Sequence, residues 1–183
     1  MRLRRLREGL ADRLSIEWRA FPLRVAPDPS ATFKGTYRED AWKRCDAMAR
    51  GDGVTFTPWT GAEYPNWSLP ALEAAKCVAR QGADAFERLH LRLYEAFFTH
   101  GRNIANRDEV TEIVRESGAD MKRFTADYTN GAARDEVLRD YERAVSEHGV
   151  RAIPTAVVGA RRLVGMVDFA EYRKAVEETG MLN

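Results

Sequence analysis

Apolar residues recur at helical spacing over much of this chain and at alternate positions in two short stretches. Over residues 1–13, Leu3, Leu6 and Leu10 share one face, with Arg2, Arg4, Arg5 and Arg7 around the rest. That pattern predicts an amphipathic helix, and the arginines read as its solvated side. From Ser15 to Phe21 the period changes to two. Ile16, Trp18 and Ala20 point one way and Ser15, Glu17 and Arg19 the other, so a strand is expected there. Pro27, Pro29 and Gly35 mark a loop. A helix is expected over Glu39–Arg50, from Ala41, Trp42, Cys45, Met48 and Ala49, and Gly51-Asp52-Gly53 stops it. The stretch from Val54 to Asn66 is rich in turn residues and aromatics. Ser68 is placed to cap the next helix, with Pro70 in its first turn.

Residues 68–148 read as five amphipathic helices joined by short turns, a helical subdomain. Their faces carry Leu72, Ala75 and Ala79; Phe86, Leu89, His90, Leu93 and Phe97; Val110, Ile113 and Val114; Met121, Phe124 and Tyr128; and Val137, Tyr141, Ala144 and Val145. After Gly149 the β-branched run Thr155–Val158, a turn at Gly159-Ala160 and Arg162-Leu163-Val164 predict a hairpin. Asp168, with Glu171 three residues on, resembles a capping box before a closing helix that buries Phe169, Tyr172 and Val176.

Composition narrows the class. At 183 residues the chain is about one domain at ~150 residues each, large enough to fold without a metal or disulfide staple. Charged residues are 31% and the net charge is +1, so bulk charge gives no reason to expect a nucleic-acid partner. No apolar run reaches the ~18 residues of a membrane span, and the basic start lacks the apolar stretch of a secretory signal. Neither membrane association nor secretion is expected, and the cytoplasm is the expected compartment.

Candidate chemistry is sparse. His90, His100 and His148 are not spaced as metal ligands, and no nucleotide, hydrolase or metalloprotease motif appears, so neither metal nor cofactor is expected. His90 reads as a core histidine. Cys45 and Cys77 stand 32 residues apart, form no CxxC and fall inside expected helices, so both read as buried, unreactive thiols. The four tryptophans read as packing residues.

One segment stands apart. Gly149-Val150-Arg151-Ala152-Ile153-Pro154-Thr155, followed by a valine-rich strand and hairpin, resembles the cis-proline loop of the thioredoxin fold. The Glu17–Leu23 segment resembles the second strand of DsbA-family oxidoreductases of the FrnE-like branch. Phe86–His90 through Glu95–Phe98 looks like their helical insertion, and Asp168–Glu178 sits where the closing helix belongs. The resemblance spans nearly the whole chain. It implies an α/β fold: one thioredoxin-like domain over residues 1–183, with a helical insertion at about 68–148. It also implies a cis Ile153–Pro154 bond. Ile153 and Pro154 are the substrate-binding candidates, facing a thiol or disulfide substrate, either protein or glutathione.

The family opens with a strand and a CxxC turn, neither of which is present here. A chain truncated at its N-terminus is therefore expected, with strands at Ser15–Phe21 and Thr155–Val158 left without the one between them. No catalytic residue carries over, and the chain as written is expected to be inactive in disulfide exchange. Two other readings stay open: a glutathione-linked isomerase or transferase of the hydroxychromene-carboxylate isomerase or kappa type, which uses a serine, and a non-catalytic peptide-binding or chaperone-like module. Oligomeric state is not legible.

Overall fold

A computed structural model describes residues 1–10 and 13–180 of the chain. In order, its helices and strands are α1 (Arg2–Leu10), α2 (Tyr37–Ala49), α3 (Leu69–Ala79), α4 (Ala83–Tyr94), α5 (Arg107–Glu116), α6 (Met121–Thr129), α7 (Ala132–Ser146), β1 (Thr155–Val158), β2 (Arg161–Val164) and α8 (Phe169–Glu177). A single π-helical turn, Glu95–Thr99, extends α4. The chain forms two compact units, Pro22–Asp140 and Met1–Phe21 with Tyr141–Asn183.

In the Pro22–Asp140 unit, polar caps start the helices. Thr36 Oγ1 accepts from Arg38 N at 3.3 Å, Asn106 Oδ1 from Asp108 N at 2.8 Å, and Asp120 Oδ1 from Lys122 N at 2.9 Å. Each occupies one of the orphan N–H groups of a first turn. Ser68 does not act this way. Its dihedrals are already helical (φ −91°, ψ −23°), whereas a capping side chain needs extended backbone. Its hydroxyl instead accepts from Arg24 N at 3.0 Å and so anchors the preceding loop. The core gathers one stripe from each of α3 to α6: Ala74, Cys77 and Val78; Leu89 and Leu93; Val110, Ile113 and Val114; Phe124 and Tyr128.

That core is locked at its rim by a buried carboxylate. Glu73, on α3, is only 3% exposed. Its two oxygens take Arg107 Nη2 at 2.5 Å and Arg134 Nε at 2.8 Å. The arginines in turn lie over the ring of Trp67, and Arg107 also covers Tyr128. A buried charge is tolerable only when paired in this way, and the pairing ties α3 to α5 and α7.

In the other unit β1 and β2 form an antiparallel pair, with Thr155 opposite Val164 and Val158 opposite Arg161. One face of the hairpin, carrying Ala156, Val158 and Leu163, packs with Leu3 and Leu6 of α1 and Tyr172, Ala175 and Val176 of α8. Three expectations are corrected here. Ser15–Phe21 forms no strand among the described residues, although Ile16, Trp18 and Ala20 are half-buried while Ser15, Glu17 and Arg19 are exposed. Period two reports which side of an extended segment is covered and says nothing about its ladder partner. The arginines of α1 are not all solvated. Arg4 is 6% exposed with its guanidinium over Trp18, Arg5 lies over Phe169, and Arg2 donates to Val167 O at 2.7 Å. Long arginine stems bury well when the head finds a ring or a carbonyl. Finally, the Asp168 side chain does not cap α8. It lies 3.4 Å from Arg2 Nη1, while its backbone carbonyl accepts from Glu171 N and Tyr172 N.

Candidate functional site

The loop from His148 to Pro154 joins α7 to β1, and its shape is set from both sides. At its start Gly149 takes φ +59°, left-handed backbone that a side chain disfavours. A Cβ at that position would also overlap the Arg162 guanidinium. Arg162 needs that space: reaching back from β2, its Nη1 donates to His148 O at 2.8 Å and Gly149 O at 2.9 Å. Val150 is buried and its N–H returns to Ala144 O at 2.8 Å, which pins the loop to the end of α7. At the other end Thr155 Oγ1 donates to Ala152 O at 2.6 Å, and Pro154 O accepts from Gly165 N at 2.8 Å.

Between these anchors the backbone is held and left open. The Ile153–Pro154 peptide is cis. Residues Arg151 to Pro154 are all exposed, and Ile153 is 43% exposed despite being aliphatic. Among the described residues neither its N–H nor its C=O has a hydrogen-bond partner. Because Pro154 O faces β2, alternation turns the N–H and C=O of Thr155 and Val157 to the opposite edge of β1. In the described sheet β2 is the neighbour of β1 on one side only. The outer face of the hairpin carries exposed Val157 (44%) and Val164 (55%). The loop and strand thus present polar backbone beside apolar side chains, the surface that an extended chain can pair with.

The two cysteines, His90 and His100 belong to the other unit. Cys77 is fully buried on α3, and burial pushes its thiol up to about 12, so it is a packing residue. Cys45 is half-buried on α2, more open than its sequence position suggested, because that helix covers only part of its surface with neighbours. His90 is half-buried between the rings of Phe86 and Tyr94, at 5.0 and 4.8 Å. His100 Nε2 lies 3.5 Å from Glu95. Among the described residues no group of three side chains could hold a metal ion.

The family model for the DSBA-like thioredoxin domain matches residues 1–177. The chain belongs to this family. A structural neighbour, a crystal structure from Nitrosomonas europaea provisionally described as a protein disulfide isomerase, is 15% identical, with a TM-score of 0.78 over 97% of this chain and 87% of that one. At that identity it supports the thioredoxin-like DsbA fold alone. The uncharacterized Bacillus subtilis protein YwbO is 23% identical over 170 residues, 90% of this chain and 82% of that protein. The sequence singled out Ile153 and Pro154, and both lie on the open loop. It did not single out Arg162, whose role depends on a cross-strand reach that no local pattern encodes.

Proposed function

We propose that this DSBA-like domain binds thiol or disulfide substrates, protein or glutathione, by backbone pairing at the Ile153–Pro154 loop, as a member of the DsbA/FrnE-type disulfide oxidoreductases. The observation that carries the reading is Ile153, whose exposed N–H and C=O have no partner among the described residues. A peptide bond lying across them would satisfy a donor and an acceptor at once, and the free edge of β1 would continue the ladder. The exchange reaction needs a thiolate nucleophile and a resolving thiol. Cys77 cannot serve, because it is buried and protonated. Cys45 has no second thiol three residues away. The 183 residues therefore act on such substrates as a binding surface. Two cysteines that are both free fit a reducing compartment, and we place the protein in the cytoplasm. No described helix is long and apolar enough to cross a membrane.

The test joins binding to turnover. Amide resonances of Ile153, Thr155 and Val157 should shift saturably with glutathione disulfide or an extended peptide disulfide, while insulin reduction by the same protein stays at background. Saturable shifts elsewhere and none on this loop would overturn the site. Turnover abolished by Cys45→Ser would overturn the assignment of the chain as a binding surface only.

A further inference from the structure

Charge is spread unevenly along the hairpin unit. From His148 to Val167 the chain carries Arg151, Arg161 and Arg162 and no Asp or Glu, in a protein whose net charge is only +1. The carboxylates that flank this stretch are placed against other arginines: Glu147 lies 3.3 Å from Arg143, and Asp168 lies 3.4 Å from Arg2. Arg161, opposite Val158 on the covered face of the hairpin, meets Glu171 at 3.7 Å and Glu178 at 2.5 Å. Arg151 and Arg162 are exposed, and neither has a carboxylate partner among the described residues.

Arg162 is a fixed charge. Residues opposite each other in an antiparallel pair send their side chains to the same face, so Arg162 shares the outer face of the hairpin with Val157. Its Nη1 is held by His148 O and Gly149 O, while its Nε and Nη2 have no partner among the described residues. A guanidinium already held in place loses little freedom when its remaining N–H groups take up an anion. Arg151 stands two residues before Ile153 on the open loop. Two cations without carboxylate partners thus accompany the outward-facing backbone of Ile153, Thr155 and Val157 and the exposed side chains of Val157 and Val164.

We infer that this edge selects extended peptide segments with acidic side chains on either side of the paired residues, an inference that rests on the reading of the Ile153 loop as a pairing site. Charge complementarity singles out this occupant. A second copy of the chain would set Arg151 and Arg162 against themselves, and like charges facing each other across an interface are unfavourable. A basic peptide meets the same repulsion. Ile153, Thr155 and Val157 offer three outward-facing backbone positions in series, each able to pair with one residue of an extended chain. Glutathione has two amide groups and covers only part of that edge. Backbone pairing binds without regard to side chains, and the two arginines add the preference.

The probes are three capped hexapeptides, Thr-Val-Thr-Val with Glu, Gln or Lys at both ends, titrated into the full chain and followed by the amide resonances of Ile153, Thr155 and Val157. The Glu peptide should bind about fivefold more tightly than the Gln peptide, within the range open to two exposed ion pairs, and the Lys peptide should bind most weakly. Salt at about 300 mM should bring the three together, because exposed charges are screened. In Arg151→Glu the Glu peptide should lose its lead. The ratio among peptides within one protein is the readout, so a variant that only disturbs the loop weakens all three alike. The Glu peptide should also displace glutathione disulfide from the loop. Equal affinities in the unaltered chain, with saturable shifts on the loop, would overturn the acidic preference and leave the pairing site standing. No saturable shift on the loop with any peptide would overturn both. A Glu preference that survives Arg151→Glu would overturn the assignment to these arginines, and tighter binding of glutathione disulfide than of the Glu peptide would overturn the peptide as occupant.

Discussion

In the Pro22–Asp140 unit the core has a sealed centre, Ala74, Cys77, Val78, Leu89, Val110, Ile113 and Val114 at 0% exposure, and a margin where Leu93 and Tyr128 keep 9%. In the unit of α1, the hairpin and α8, the corresponding residues Leu6, Leu163, Tyr172, Ala175 and Val176 keep between 1% and 7%. The first unit closes on itself because helices satisfy their own backbones and need only apolar contact from neighbours. The second is built on a two-stranded sheet, which has one covered face and an edge whose polar groups face outward. A helical layer can be finished locally, whereas a sheet is finished only by the next strand. The exposed loop at Ile153 belongs to this second unit, beside the edge of β1 whose polar groups face outward.

The largest expected effect tests whether the closed core dominates stability. Phe124→Ala should cost about 3–5 kcal/mol, since a large ring at 1% exposure leaves a cavity that close-packed helices cannot fill. Leu163→Ala, on the open hairpin, should cost about 2 kcal/mol, at the low end for its type, because a sheet with a bare face can settle into the gap. Urea midpoints with matched slopes measure both. Equal costs would break the contrast between the units.

A smaller effect is expected at the lock on the helical core. Glu73→Gln should destabilise by about 1.5–3 kcal/mol, the worth of hydrogen bonds to a charged group. Arg107 and Arg134 are 39% and 44% exposed, so both can turn to water rather than remain buried and unpaired. Salt should hardly change the wild-type value, as the carboxylate is sealed. A loss that vanishes in high salt would mean that the cluster acts as an ordinary surface pair.

The smallest effect is a pH dependence. Burial raises the Cys77 thiol from 9.0 to about 12 in the folded chain. Above pH 9 the unfolded chain loses this proton and the folded chain keeps it, so stability falls as pH rises through that range. Unfolding midpoints at pH 7.5 and 9.5 should therefore differ more in the wild type than in Cys77→Ala. Thiol reagents should reach the half-buried Cys45 far sooner than Cys77, whose modification should follow opening of the helical unit. Equal labelling rates would show that α3 opens locally.

Much of this was legible along the chain. The helices between 68 and 148, the hairpin and α8 follow from period and turn residues, because their patterns are local. Ile153 and Pro154 stood out through a motif, and the loop that carries them is open. The misreadings share one cause. Ser68 and Asp168 occupy cap-like positions, but a hydroxyl or carboxylate goes to the nearest good partner, and those were Arg24 N and Arg2, distant in sequence. Arg4 looked like a solvated residue until Trp18 came over it. Ser15–Phe21 had the right alternation for a strand without a described ladder to join.

The sequence alone determined where helices begin and stop, which faces are apolar, and that Cys45 and Cys77 cannot form a CxxC pair. Those properties depend on residues within a few positions of one another, where spacing and dihedral preference suffice. Only the tertiary structure decided that Glu73 would be sealed between two arginines and that Arg162 would hold the loop before Pro154. It also decided that rings from Phe33 to Phe98 would meet in one aromatic cluster. Side chains brought together from far along the chain choose partners by proximity and solvent exclusion, and neither quantity exists until the chain has folded.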